Sequence, residues 1–284
     1  MVSINPIDVM LWTFRRSEKD TIKLYDSLSP VMQTATGGNM LNFGYWNDEY
    51  CSPLLAQENM CNEFGKLSNL EENLMVLDVG SGLSAPSIFW KNQFSESHFI
   101  DININLKQLQ LGKSNKFESV NATSTLLPIK SNSVDRVLAL ESAQHFKPLD
   151  SFLSESKRIL KKDGILTMAI PVTVGNPSLK DLGLIKFTWS SEHYSVDSVT
   201  QKLKSSGFSI ISNLHIGDNV YSPLTEYYSK NRENLKKSIQ STYSSYVESI
   251  LYKSLLKMKE ASEKKYIEYL FLKCVIKTSV IPFL

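Results

Sequence analysis

The sequence predicts an α/β fold, a doubly wound and mostly parallel sheet of seven strands with a helical insertion before the last strand. Three observations support this prediction. Apolar runs of strand length alternate with helical patterns through the middle of the chain, one run ends in a glycine turn that opens a helix, and the last run follows a long amphipathic segment. Strands that alternate with helices form parallel sheets covered on both faces. The 284 residues, 42% of them hydrophobic, suffice for one large α/β domain.

The first five strands are identified from apolar runs between turn signals. They cover residues 74–79, 98–102, 117–121, 134–140 and 164–170. Helices are predicted over residues 86–94, 106–116 and 149–160. Pro86 suits a first helical turn, where a backbone N–H has no partner to lose. Gly164 is expected to end the third helix in the left-handed conformation.

The pattern beyond Pro171 predicts two more strands and an insertion. Residues 196–206 indicate a helix ended by Gly207, and residues 208–216 indicate a sixth strand. Residues 225–265 are helical and amphipathic, with apolar positions that include Val247, Leu251, Leu255 and Met258. Residues 269–276 are too apolar and β-branched for an exposed helix face, so we expect a last strand that returns to the sheet.

These elements predict four segments, with no internal repeat or low-complexity linker between them. In chain order they are an N-terminal helical cap over residues 1–70, a sheet-forming core over residues 71–218, a helical lid insertion over residues 219–265 and the returning strand over residues 266–284.

The composition excludes several classes of protein. The formal net charge of +2, from 31 basic and 29 acidic residues, gives no reason to expect a nucleic-acid partner. The three cysteines lack CxxC spacing and nearby histidines, so we expect neither a disulfide framework nor a metal site. No signal-peptide layout and no membrane-spanning apolar run is evident, which favours a cytoplasmic protein.

The strongest functional signal is the turn Val76-Leu-Asp-Val-Gly-Ser-Gly-Leu-Ser84. Ligands of open α/β sheets bind beyond the carboxyl ends of the strands, beside the first strand, and glycines there let ligand atoms approach the backbone. Asp78 precedes Gly80 by two residues, and Asp101 follows Gly82 by nineteen. Asp101 is predicted to end the second strand, where a carboxylate can accept both hydroxyls of a ribose.

Two kinds of nucleotide cofactor use such a turn. A dinucleotide site usually has a third glycine, which opens the helix beneath the pyrophosphate. Here that region reads Leu83-Ser84-Ala85-Pro86. Because S-adenosyl-L-methionine has no pyrophosphate, the missing glycine favours it over NAD.

Four blocks in order resemble the class I S-adenosylmethionine-dependent methyltransferases, and more closely the small-molecule branch that includes tocopherol, sterol, sarcosine and phthiotriol methyltransferases. The blocks are Leu41-Asn-Phe-Gly-Tyr-Trp46, Val76-Leu-Asp-Val-Gly-Ser-Gly82, Leu127-Pro-Ile-Lys-Ser-Asn-Ser-Val-Asp-Arg-Val137 continued by Leu140-Glu-Ser-Ala-Gln-His-Phe146, and Arg158-Ile-Leu-Lys-Lys-Asp-Gly164. The resemblance covers roughly residues 20–216. It implies the Rossmann-like methyltransferase fold, a core that binds S-adenosyl-L-methionine and a small-molecule acceptor.

The resemblance also implies a set of cofactor-binding residues. They are Tyr25, Tyr45, Asp78, Gly80, Ser81, Gly82, Asp101, Ile102, Asn121, Ala122 and Glu141. Asp101 would hold the ribose, Ile102 would pack on the adenine, and Asn121 with Ala122 would read the adenine edge. Asn121 departs from the Asp that the family often has there, because its side-chain oxygen accepts without a charge. Ser84 and Ala85 also replace glycines of close relatives.

The aromatic residues and Glu141 have expected roles of their own. Tyr25 resembles a family tyrosine that reaches the cofactor carboxylate. Tyr45 and Trp46 are placed to shield the sulfonium, whose charge is attracted to aromatic faces, or else belong to the core. Glu141 orients the methionyl amine or a substrate group, or caps the next turn.

His145 is the candidate general base, on the loop after the fourth strand. An imidazole has its pKa near operating pH, and it suits deprotonation of a hydroxyl, so O-methylation is favoured. The alternative is that His145 only holds the loop or the substrate. The insertion tyrosines would line an apolar or aromatic acceptor pocket or pack the insertion onto the sheet. They are Tyr227, Tyr228, Tyr243, Tyr246 and Tyr252.

Three other functions compete with this prediction. The absent third glycine disfavours an NAD-dependent oxidoreductase. A nucleic-acid methyltransferase is disfavoured because the fourth strand runs into Leu140-Glu-Ser-Ala143 and not into an Asn-Pro-Pro-Tyr type of motif. A non-catalytic scaffold that binds the cofactor is compatible with the substitutions at Ser84, Ala85 and Asn121.

Overall fold

The computed structural model of the chain describes residues 17–114, 116–185 and 192–277. In these ranges seven strands form one sheet. The strands are β1 (Met75–Val79), β2 (His98–Asn103), β3 (Glu118–Asn121), β4 (Val134–Leu140), β5 (Leu160–Thr173), β6 (Phe208–His215) and β7 (Ile267–Ile276). Their order is β3-β2-β1-β4-β5-β7-β6, and β7 runs antiparallel to both of its neighbours. The doubly wound, mostly parallel sheet predicted from the sequence is confirmed.

Helices precede the sheet, connect its strands and form the insertion. They are α1 (Glu18–Thr36), α2 (Pro53–Leu67), α3 (Ala85–Gln93), α4 (Leu106–Leu111), α5 (Leu149–Ile159), α6 (Leu179–Leu182), α7 (Val196–Ser205), α8 (Tyr221–Lys230), α9 (Arg232–Thr242) and α10 (Ser245–Glu263). The last three lie between β6 and β7, so the predicted helical insertion before the last strand is present. No described helix is long and apolar enough to cross a membrane.

The predicted role of Gly164 is wrong. Helix α5 ends at Ile159, and Leu160 is already extended, with φ −64° and ψ 137°. Leu160 pairs with Val134 and so begins β5 four residues before the predicted start of that strand. Gly164 therefore lies inside β5, where an added Cβ would be 2.8 Å from Leu160 Cδ2. Gly207 does adopt the left-handed conformation after α7, with φ +85°.

Helix α4 is five residues shorter than predicted and ends against the turn after β1. The N–H of Gly112 donates to the carbonyl of Gln108 at 2.9 Å and ends the helix at Leu111. A Cβ on Gly112 would lie 2.2 Å from the carbonyl oxygen of Leu83. The end of α4 is thus packed directly against the turn after β1, and only glycine fits there.

Apolar clusters cover both faces of the sheet. One contains Phe64, Trp90 and Phe271, and the other contains Phe152 and Leu272. Successive residues of a strand point to opposite faces, so β7 contributes alternately to the two clusters. This burial on both faces explains why most residues of β7 are apolar. Each fully buried large apolar side chain contributes about 1.5–3 kcal/mol relative to exposure.

The insertion packs onto the first of these clusters. Val247, Leu255 and Met258 of α10 are buried there, as the amphipathic pattern predicted, and Leu251 is partly buried. Within the insertion, buried Glu248 accepts from Arg232 Nε at 2.9 Å. The division into four segments stays a prediction, and residues 1–16 and 278–284 of its terminal segments lie outside the described residues.

Candidate active site

A cleft opens at the carboxyl ends of β1, β2 and β4 and beside Ala122, which follows β3. Its volume is about 1020 Å³ with its open mouth included. Helix α1 covers it through Glu18, Thr21, Ile22 and Tyr25. Because neighbouring strands are ~4.8 Å apart, the four strand ends from β3 to β4 span ~14 Å. The cleft is where ligands of doubly wound sheets bind.

The turn after β1 forms the floor of the cleft. Gly80 and Gly82 have φ of +80° and +58°. The N–H groups of Gly80 and Ser81 donate to the carbonyl of Ile102 at 2.7 and 3.2 Å, which ties the turn to the end of β2. An added Cβ on Gly80 would lie 2.4 Å from Ser142 Cβ. Gly80 is therefore required by its conformation and by the close approach of the loop after β4.

A pair of buried carboxyl groups lies beneath this turn. Asp78 of β1 and Asp101 of β2 are register neighbours. The hydroxyl of Ser87, from α3, lies 3.0 Å from Asp78 Oδ2 and 2.5 Å from Asp101 Oδ1. A serine hydroxyl has one proton to donate, so the second contact needs a protonated carboxyl that donates to Ser87. The pair therefore holds at least one proton when both contacts are made.

Burial also favours the protonated forms of this pair. It raises the pKa of Asp101 to about 6, although hydrogen bonds from Ser84, Ser87 and Ser81 oppose the shift. Burial, and then the charge of Asp101, raise the pKa of Asp78 well above its ordinary value. The pair titrates as a unit, because the charge of one carboxyl disfavours ionisation of the other.

The structure corrects the position predicted for Asp101. Strand β2 continues one residue further than the predicted end at Ile102, to Asn103. Residues i and i+2 of a strand point to the same face, so Asp101 lies one step below the sheet edge, under Ser87, and Asn103 stands at the edge. Asn103 lines the cleft and Asp101 does not. Sequence analysis missed Asn103 because the second strand was ended too early.

Asn121 is also not brought into the cleft. Its Nδ2 donates to the carbonyls of Asn103 and Ile104 at 2.8 and 2.9 Å, which ties the end of β3 to the segment after β2. Ala122, the next residue, does line the cleft, as do Ile102 and Ile104. The apolar surface expected to pack on an adenine is present, but the side chain expected to read its edge is turned away.

Tyr25 and His145 meet in the cleft across 120 residues of sequence. Tyr25 Oη lies 2.9 Å from His145 Nε2, and the two rings pack edge to face with centroids 5.4 Å apart. His145 ends a short 3-10 turn (Ala143–His145) after β4. Burial, and then the charge of Glu141, raise the pKa of Tyr25, so it stays a neutral phenol. The predicted base is therefore bonded to the tyrosine that was predicted to hold the cofactor.

Glu141 is held in the cleft by two donors. Its Oε1 accepts from the Phe43 N–H and from the Tyr269 hydroxyl, both at 2.8 Å. Burial raises the pKa of Glu141 to about 7, although these two hydrogen bonds favour the carboxylate. Its φ of +51° is unusual for a residue other than glycine. Backbone strain of this kind is often found at functional positions.

Tyr45 and Gly82 do not line the cleft. The N–H of Tyr45 donates to the carbonyl of Ala56, and its ring lies 6.4 Å from that of Phe271 in the core. Trp46 is buried, and its Nε1 donates to the carbonyl of Phe43 at 2.8 Å. This segment therefore contributes through the backbone N–H that binds Glu141 and not through aromatic faces.

None of the described residues that line the cleft belongs to the insertion. Tyr228 and Tyr243 are instead buried in the core cluster, and Tyr246 and Tyr252 pack against it. The ring of Tyr227 packs 5.4 Å from that of Trp46. For these tyrosines the structure favours the packing alternative, and an acceptor-lining role stays a prediction.

The charges of the cleft fit a cationic ligand. Glu18 and Glu141 line it together with Asp78, whose raised pKa favours its neutral form, and the described lining residues include one lysine, Lys147, and no arginine. S-adenosylmethionine carries a sulfonium and an ammonium, which such carboxylates attract. The pyrophosphate of NAD would meet the same acids without a compensating guanidinium. The cleft thus fits the cofactor that the sequence favoured.

Comparisons with known proteins identify a methyltransferase domain in the chain. Residues 77–168 match the family model described as a methyltransferase domain. Erythromycin 3''-O-methyltransferase of Saccharopolyspora erythraea is 23% identical over 262 residues, 84% of each chain. (S)-Coclaurine N-methyltransferase of Papaver somniferum is 26% identical over 152 residues, which are 51% of this chain and 43% of the relative. A sterol 24-C-methyltransferase of Gibberella zeae is 32% identical over 104 residues, 34% of this chain and 27% of the relative.

Among solved structures, the [4+2]-cyclase SpnF superposes with a TM-score of 0.74 at 16% identity, over 93% of this chain and 98% of that chain. The fold and the glycine turn define the class as Rossmann-like, with the layout of class I methyltransferases. Together, the domain match and the methyltransferase relatives support an S-adenosylmethionine-dependent methyltransferase, and the sheet has the class I fold.

Proposed function

We propose that this methyltransferase transfers the methyl group to a hydroxyl oxygen of a small molecule. The names of the three sequence relatives all specify small molecules, and they include O-, N- and C-methylation. The relative that spans most of this chain is an O-methyltransferase. The observation that carries the choice of oxygen is the contact between Tyr25 and His145 inside the cleft.

The residues of the cleft divide the cofactor site into two ends. Gly80, Ser81 and Glu141 would hold the methionyl end near β1 and β4, and Ile102 with Ala122 would hold the adenosyl end near β2 and β3. When bound, the cofactor supplies a methyl group that is already activated by its sulfonium. The protein must then align the acceptor, which contributes on the order of 7–11 kcal/mol, and exclude water.

The Tyr25–His145 pair supplies a route for the proton of the acceptor. A neutral Tyr25 donates its hydroxyl proton to His145 Nε2, and its oxygen remains free to accept from an acceptor hydroxyl. As the acceptor oxygen is methylated, its proton passes to Tyr25 and the Tyr25 proton passes to His145. General base catalysis of this kind contributes about 10²–10⁴-fold.

A cytoplasmic location is part of this proposal. Its support is that Cys51, Cys61 and Cys274 are all free, with the last two buried, as is usual where thiols stay reduced. Localisation of the tagged full chain by microscopy tests it, and accumulation in an oxidising compartment would contradict it.

An acceptor screen tests the reaction. The full chain would be incubated with methyl-labelled cofactor and matched sets of small alcohols, phenols, amines and activated carbon acids. We expect label in hydroxyl acceptors, with the new methyl located on oxygen by mass spectrometry. Label confined to amines or carbon acids would contradict the choice of oxygen, and no transfer to any set while the cofactor binds would favour a non-catalytic scaffold.

A further inference from the structure

Among the described residues, the adenosyl end of the cleft has few side-chain oxygens that are not already engaged in hydrogen bonds. An adenosyl group presents an exocyclic amino group and two ribose hydroxyls, all of which donate hydrogen bonds. Asn103 Nδ2 donates both of its hydrogens, one to the Gly82 carbonyl and one to Gln108 Oε1, each at 3.0 Å. Its Oδ1 accepts from the Asn105 N–H at 3.3 Å. Asn121 is likewise tied to backbone carbonyls.

Only one of the carboxylates that line the described cleft lies at this end. Asp78 is beneath the turn and bonded to Ser87, and Glu141 is at the β4 end. Glu18, in the first turn of α1, lines the cleft, and its Oε1 accepts from the hydroxyl of Thr123. Thr123 lies directly after Ala122, at the carboxyl end of β3. The Thr123 contact leaves Oε2 of Glu18 available to accept from a ligand.

Helix α1 is fastened to this end of the sheet by side-chain hydrogen bonds. Asn105 Nδ2 donates to Asp26 Oδ1, and Gln108 Nε2 donates to Ser29 Oγ, both at 3.0 Å. Ser17 and Asp20 form a reciprocal cap that fixes the start of the helix next to Glu18. The position of Glu18 over the cleft is therefore set by the packing of α1 and not by the long side chain alone.

We propose that Glu18 accepts the hydrogen bond of the adenine amino group, in place of the acid that the family often has at the end of β3. This inference rests on the assignment of S-adenosylmethionine to the cleft. Ile102 and Ile104 line the cleft and offer apolar surface to the faces of the base. A base that packs there directs its edge toward Ala122 and Glu18. The recognition of the cofactor base is thus completed by the N-terminal helix.

Calorimetric titration of two ligands tests this assignment. S-adenosylhomocysteine has the amino group, and S-inosylhomocysteine has an accepting oxygen in its place. We expect wild type to bind the adenosyl ligand at least about tenfold more tightly. In Glu18→Gln, whose amide also donates, affinity for the adenosyl ligand should fall about tenfold and affinity for the inosyl ligand should be unchanged or higher. Glu233→Gln, an exposed first-turn glutamate of α9 outside the cleft, is the matched control and should behave as wild type.

The outcomes separate this inference from the proposed function. The role of Glu18 would be overturned if Glu18→Gln kept the wild-type preference for the adenosyl over the inosyl ligand. It would also be overturned if the variant lost equal affinity for both ligands. In either case the cofactor assignment would stand. Equal losses accompanied by a lower unfolding temperature would show that Glu18 only fastens α1. Failure of wild type to bind S-adenosylhomocysteine would overturn both proposals.

Discussion

Asp78 and Asp101 lie side by side on β1 and β2, and the single hydroxyl of Ser87 touches both carboxyl groups. One proton must be shared within this group, directly beneath the turn that is proposed to hold the cofactor. The sequence places an acid at each position, but it does not show that the two acids face each other. Because the two carboxyl groups are buried, their ionisation should make the free energy of unfolding depend on pH.

Asp101→Asn should remove part of the pH dependence of folding. The pKa of Asp101 is raised in the folded chain from 3.8 to about 6, so its contribution to stability is present below pH 4 and is lost as the pH rises toward 6. The wild-type free energy of unfolding should therefore fall across this window relative to the variant, by on the order of 3 kcal/mol. Urea unfolding at pH 4 to 7 measures it. An exposed control, Asp48→Asn, should keep the wild-type slope, and an identical slope in Asp101→Asn would contradict the shared proton.

Glu141→Gln should abolish a pH dependence of cofactor binding near neutrality. The pKa of Glu141 is raised to about 7, so the carboxylate that attracts the cationic cofactor forms as the pH rises through that value. We expect wild-type affinity for S-adenosylmethionine to increase several-fold between pH 6 and pH 8. The variant keeps an acceptor for Phe43 and Tyr269, and it should bind weakly at every pH. Titrations at three pH values test this, and parallel profiles for the two proteins would exclude Glu141 as the group responsible.

His145→Ala should leave cofactor affinity within about twofold of wild type and lower turnover by about a hundredfold. The reason is that the imidazole takes up the proton and does not carry the cofactor. Steady-state rates with the acceptor found in the screen, together with calorimetry, measure the two effects. His98→Ala, at the exposed amino end of β2, is the control and should retain full turnover. Turnover unchanged in His145→Ala would dismiss the base assignment.

Tyr25→Phe should separate the proton relay from simple positioning. The variant loses the hydrogen bond to His145 Nε2 but keeps the ring that packs against the imidazole. We expect a turnover loss of about tenfold or more and little change in KM for the acceptor, because the phenylalanine still fills the cleft. Rates measured against pH test the relay. A rise in KM with normal turnover would show instead that Tyr25 binds the acceptor.

Gly80→Ala should be more destabilising than Gly175→Ala by about 1–3 kcal/mol. Both glycines have positive φ, +80° and +62°, so both variants strain the backbone. Only at Gly80 does the new Cβ meet a neighbour, Ser142 Cβ at 2.4 Å, whereas nothing lies within 4 Å at Gly175. Chemical denaturation of the two variants measures the difference, and equal losses would show that the close approach is relaxed at little cost.

The order of the elements was predictable because the spacing of apolar residues within each segment distinguishes a strand from a helix. Strand β4 matches its predicted bounds, and the position of β7 between β5 and β6 explains its mostly apolar sequence. Helix and strand ends were less predictable, because they depend on contacts between distant segments. Gly112 stops α4 against Leu83, and Leu160 begins β5 because Val134 offers a pairing partner.

Site residues that belong to one short segment were predictable from the sequence. Those that are brought together from distant segments were less so. Gly80, Ser81, Ile102 and Ala122 were found because a turn and two strand ends place them without reference to other segments. Asp101 was assigned to the sheet edge because the end of the second strand was predicted one residue too early. The lining face of α1 was missed apart from Tyr25, although Glu18, Ile22 and Tyr25 follow a helical spacing.

A crystal structure of the complex with S-adenosylhomocysteine tests the central claim most directly. The account predicts the homocysteine portion beside Gly80 and Glu141, the sulfur facing the Tyr25–His145 pair, and the adenine between Ile102 and Ala122 with its amino group on Glu18. A ligand bound elsewhere, or a sulfur shielded from Tyr25 and His145, would contradict it.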